Sequence, residues 1–93
     1  VQNFVTKYEE AYGETPNQFA ADAYDSVYVV KAAIEAAGAT PDMSASDLCD
    51  AMVGAMPSVT YDGVTGKSIT WTDGEPNKAP LVVQVVNGEY TEL

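Results

Sequence analysis

The carboxylates come first, because two pairs have the spacing that acid–base chemistry uses. Asp22 and Asp25, and Asp47 and Asp50, are each three residues apart. A helix would put each pair on one face, where one carboxyl could serve as acid and the other as base. Like charges at the start of a helix are also what a solvated face carries near the positive helix end. That second reading is preferred for both pairs, and Asp22 and Asp25 fall in the early half of their helix. Cys49, the one thiol, lies within Asp47-Leu48-Cys49-Asp50. Flanking carboxylates raise a thiol pKa, which works against nucleophilicity. Cys49 therefore reads as a small packing residue. The chain contains no His. Neither a Ser–His nor a Cys–His pair can form within it, and one Cys cannot hold zinc. Asp73, Glu75 and Asn77 alternate around Gly74 as hard oxygen ligands would for calcium. Their spacing does not fit an EF-hand loop and Pro76 interrupts it, so a solvated turn is the better reading. The expectation is a protein that is not an enzyme, with no catalytic residue, no metal site and no cofactor.

The aromatic cluster Phe19, Tyr24 and Tyr28 offers binding instead of catalysis. Tyr24 and Tyr28 read as core. Phe19 sits at a helix entry, just after Pro16-Asn17-Gln18, where a side chain projects beyond the packed body.

These residues need elements to position them. Phe4, Val5, Tyr8, Ala11 and Tyr12 recur at helical spacing and predict a first helix over 1–12, stopped by Gly13. Pro16 and Asn17 start the longest helix, from about Gln18 to Ala37, ending at Gly38. This helix is apolar almost all round: Tyr24, Val27, Tyr28, Val30, Ala33, Ile34 and Ala37 leave only narrow polar strips. A helix with one wet side shows a single stripe, so this one should be packed on more than one side. Ser44, with Asp47 three residues on, opens a third helix whose stripe is Leu48, Met52 and Met56. Pro57 ends it. The period then becomes strand-like, with Val59 and Tyr61, then Ile69 and Trp71, alternating. Glu75 to Pro80 reads as a polar loop. Leu81 to Val86 reads as a buried strand, followed by the hairpin signal Asn87-Gly88. Three helices followed by strands make an α/β chain, but not a complete doubly wound domain.

The order of segments carries a resemblance. YGETPNQFAADAYDSVYVVKAAIEAAG, a short acidic helix, Tyr61-Asp62-Gly63, and the Thr65–Gly74 segment with its Thr-Gly, Trp and Asp-Gly resemble the C-terminal quarter of a two-lobe, type I periplasmic binding protein. The branch it is similar to serves ABC transporters for branched-chain amino acids, and the likeness covers essentially the whole chain. The resemblance implies capture of a small solute, an amino acid above all, and its delivery to a membrane permease. It implies that residues 1–58 belong to one lobe, that 59–67 cross the hinge, and that 68–93 complete the other lobe. By the same resemblance Phe19 lines the ligand cleft and packs on the solute's aliphatic part, with Ala20, Ala21 and Asp22 nearby. Ser26 stands where Ala is more usual. The groups that hold the ligand's ammonium and carboxylate would precede Val1, as in an excised fragment.

Charge bounds the partners. With 14 acidic and 4 basic residues the chain carries a formal charge of -10. Such a surface repels phosphate, which excludes nucleic acid, and it has no basic cluster for anionic lipid. No apolar run approaches a membrane span, and no signal-peptide pattern opens the chain. An extracellular, periplasmic or lipid-anchored surface location follows from the resemblance, not from these residues. Two other readings stay open: a sensor domain of the same fold, and a stand-alone acidic module that binds a protein partner. The module would fold alone as a monomer. A fragment would expose apolar surface and self-associate or exchange strands.

Overall fold

The helices are built from local signals that each close their own ends. A computed structural model describes residues 1–93. Helix α1 (Gln2–Tyr12) ends at Gly13, whose φ of 74° is left-handed and whose N–H donates to the Glu9 carbonyl. Helix α2 (Gln18–Ala37) starts from Asn17, whose side-chain oxygen accepts the Ala20 N–H at 2.9 Å. It stops at Gly38, again left-handed. Helix α3 (Ala45–Ala55) is capped by Ser44, which accepts the Asp47 N–H at 3.1 Å. Pro57 ends α3 by way of a 3-10 turn over Met56–Ser58. Each cap satisfies backbone groups that the helix itself leaves unpaired.

Packing between elements is thin. The Phe4 ring of α1 lies 4.6 Å from the Tyr24 ring of α2, and Tyr24 continues to Tyr28 at 5.1 Å. The buried apolar residues are Phe4, Ala33, Val59 and Ile69. Tyr61 and Ile69 exchange two backbone hydrogen bonds, at 2.9 and 2.8 Å, which closes residues 61–69 into a loop. Strand β1 (Thr70–Thr72) follows and pairs antiparallel with β2 (Glu75–Asn77). Strands β3 (Val83–Val86) and β4 (Glu89–Glu92) make a second antiparallel pair. The sheets are separate and neither contains a parallel pair. The fold class is thus α/β, three helices then hairpins, without the parallel sheet of a doubly wound domain.

Four expectations need correction. Glu75–Asn77 is a strand and not part of a polar loop. Asp73 and Gly74 both take positive φ, 52° and 81°, the two-residue geometry that folds a hairpin back on itself. The run Leu81–Val86 is exposed, with Val85 at 67%. Its strand begins only at Val83, and no other element packs on the β3–β4 ribbon. A two-stranded ribbon has two faces, and the chain covers neither. Helix α2 buries only Asp25 and Ala33, while Val27 and Val30 stay exposed. The stripe Leu48, Met52 and Met56 on α3 is half-buried. In each case the apolar pattern is present and the second packing surface is not. No helix is long and apolar enough to cross a membrane.

If the α2 cap is as local as its geometry, Asn17→Ala lowers stability by about 1 kcal/mol and Asn17→Asp retains it. Denaturant titration of the intact protein followed by circular dichroism measures this. An unchanged midpoint for Asn17→Ala would show that tertiary contacts, not the cap, set the helix start.

Candidate functional site

Asp25 is the one buried charged side chain, 5% exposed, on a helix that is otherwise mostly open. It does not share a solvated face with Asp22, as its spacing suggested. The loop 61–69 folds over it. One carboxylate oxygen accepts the Val64 N–H at 3.0 Å and, more loosely, the Tyr61 hydroxyl at 3.5 Å. The other accepts the Thr65 N–H at 2.8 Å and the Thr65 hydroxyl at 2.5 Å. The Thr65 hydroxyl oxygen in turn accepts from the Lys78 ammonium at 2.7 Å. Burial by itself raises the Asp25 pKa. The Thr65 hydroxyl, the Thr65 and Val64 N–H groups and the Lys78 charge outweigh burial and hold the carboxyl below its ordinary range. Burial and the Asp25 charge push the Tyr61 phenol up. Asp25 is therefore held as an anion with both oxygens occupied, which suits a structural clamp and not a proton-transfer group.

Gly63 makes the close approach possible. A Cβ there would lie 2.6 Å from an Asp25 oxygen and against the Tyr61 ring. The loop is held further by Gly63 N–H to the Gly66 carbonyl at 2.9 Å and by Ser68 N–H to the Asp62 carboxylate at 2.7 Å.

Two concave surfaces flank this clamp, and Asp22, Thr65 and Lys78 border both. One, of about 440 Å3, is also lined by Ser26, Val30 and Trp71. The other, of about 670 Å3, adds Gln18, Ala21, Leu81 and Tyr90. Of the predicted wall residues, Ala21 and Asp22 line the larger cleft. Ala20 is half-buried behind the Asn17 cap. Phe19 lines neither cleft and points into the open, 76% exposed. Cys49 and the pair Asp47 and Asp50 are exposed on α3, away from these surfaces. Asn77 is occupied across its hairpin, its amide donating to the Thr70 and Thr72 hydroxyls. Lys78, Thr65 and Trp71 join the site without having been candidates in the sequence. Gly63 and Gly66 bracketing Val64-Thr65 are the available signal, since such loops present backbone N–H groups.

A profile described as "Periplasmic binding protein" matches residues 1–89. The chain belongs to the periplasmic binding protein family. No curated protein and no solved structure matches it. The family captures small solutes for transport or sensing, generally without transforming them, and its members are typically periplasmic or extracellular. On α2, Phe19 is open to solvent, and Asp25, six residues on, is clamped by the loop 61–69.

Two measurements test the clamp. Asp25→Ala leaves the Val64 and Thr65 N–H groups and the Thr65 and Tyr61 hydroxyls without this acceptor and should cost about 2–3 kcal/mol. Gly63→Ala should cost about 1–3 kcal/mol through overpacking. The pH dependence has a fixed sign. Because the folded pKa of Asp25 is depressed, its contribution is fully present above the unfolded value of about 3.9. It is lost as pH falls from there through the lower folded value. The stability gap between wild type and Asp25→Asn should therefore be constant near neutrality and close below about pH 4. A gap that widens on acidification would contradict the clamp.

Proposed function

We propose that this chain is the C-terminal part of a type I binding protein that captures an amino acid and delivers it to an ABC transporter permease. Residues 1–58 belong to one lobe, 59–67 cross between lobes, and 68–93 complete the other. The solute is held by burial and hydrogen bonds, outside the cytoplasm, and no bond in it is made or broken. The family match over residues 1–89 carries this reading. Phe19 supports the ligand class. A large aromatic left open at a capped helix entry is a surface suited to an aliphatic side chain. Ala20, Ala21 and Asp22 are assigned to the same wall, Ala21 and Asp22 on the side of the larger cleft. A sensor domain of the same fold uses the same wall, and only the solute's fate separates the two roles.

Thermal unfolding of the intact protein against a panel of amino acids tests the assignment. A ligand present at a hundred times its Kd stabilises the folded state by about 2.7 kcal/mol. Aliphatic amino acids should raise the midpoint most. Phe19→Ala should weaken binding by about 2 kcal/mol, roughly thirtyfold in Kd, because the ring no longer shields the solute's apolar surface from water. A shift that survives Phe19→Ala unchanged removes Phe19 from the site. A panel without any shift removes amino acids as the ligand class.

A further inference from the structure

Helix α2 and the proposed crossover are far apart in sequence, yet one carboxylate ties them together. Asp25 is 36 to 40 residues from its donors Tyr61, Val64 and Thr65. The two Asp25 oxygens have separate donors, so the contact fixes rotation as well as separation. The loop cannot slide past the clamp, because Tyr61 and Ile69 are paired at its neck. Gly63 brings its backbone close against the carboxylate, which leaves no slack between loop and helix. Lys78, through the Thr65 hydroxyl, ties the residue following β2 to the same point. Ser68, at φ 51°, sits in the left-handed region, where a residue with a side chain persists only when its surroundings hold it.

Asp22 and Phe19 are one and two helical turns before Asp25. A helix is stiff over that distance, about 9 Å at 1.5 Å per residue. The orientation of Asp25 in the loop therefore sets the orientation of the helix entry.

We propose that Asp25 is a positioning residue for solute binding: with Thr65 it joins α2 and residues 61–69 into one rigid unit, so the wall at Phe19–Asp22 keeps a fixed attitude to the crossover. The inference rests on the solute-capture reading. The solute wall then travels with the loop. Asp25 itself touches no solute.

The test uses the intact protein, with L-leucine as probe, well below the unfolding midpoint. Thr65→Val removes the hydroxyl that bridges Asp25 and Lys78 without altering α2. Asp25→Asn keeps the shape and removes the charge. Thr65→Ser is the conservative rescue. Both Thr65→Val and Asp25→Asn should weaken L-leucine binding about tenfold, mainly through faster dissociation, and Thr65→Ser should restore it. A purely stabilising role would lower the midpoint and leave affinity alone. Affinity within twofold of wild type in the folded variants therefore overturns the proposal. If wild type binds no L-leucine, the solute assignment fails first, and hydrogen exchange decides the coupling separately. In Thr65→Val, amides of the Ala23–Val27 turn of α2 should then exchange at least fivefold faster together with Val64. Faster exchange at Val64 alone would show that the loop moves without α2, and the rigid unit would be refuted.

Discussion

A carboxylate withdrawn from water is stable only where donors replace its hydration shell. Asp25 finds four, all from the loop 61–69, and the loop has little else to hold it. Its neck is one bridge, and its apolar anchors are Val59 and Ile69 at either side. Without the carboxylate, Val64 and Thr65 would have no partner for their N–H groups on the face turned to α2. The attachment of β1 to the helical body thus combines hydrogen bonds to a buried carboxylate with the apolar contacts of Val59 and Ile69. The carboxylate contacts explain the depressed pKa and the need for glycine at position 63.

The rest of the molecule has the same economy. Local order is well provided, since all three helices have a capping residue or a left-handed glycine at a terminus. Both hairpins turn through two residues of positive φ. Long-range burial is sparse, with four apolar residues inside and most of β3–β4 outside. The exposed Val83, Val85 and Val86 of β3 are apolar surface that no other element covers. The strongly acidic composition opposes self-association at long range, though salt at physiological strength screens such repulsion beyond about 8 Å.

The chain belongs to a family that generally binds solutes without transforming them. The buried acid has both oxygens engaged, the thiol is on an outer helix face, and the aromatic at the α2 entry is uncovered. The clamp itself joins α2 to the loop 61–69 through one carboxylate.

The sequence by itself determined everything whose cause lies within a few residues. Helix spans followed from Asn17, Ser44, Gly13 and Gly38, because caps act on the nearest backbone groups. The Asn87-Gly88 turn was legible for the same reason, and so was the α/β order of helices then strands. The β1–β2 hairpin was only half legible: Asp73-Gly74 signals a turn, but Glu-Pro-Asn has no strand propensity, and pairing with Thr70–Thr72 made it one. Burial was the least legible property. The apolar surround of α2 and the run Leu81–Val86 both implied cover, and cover depends on which surfaces meet, which no local pattern encodes. Asp25 shows the limit most clearly. Its spacing from Asp22 gave it a helical face, and helix-end electrostatics favoured water there. Only the tertiary structure decided otherwise, because the donors that bury it arrive from some forty residues away.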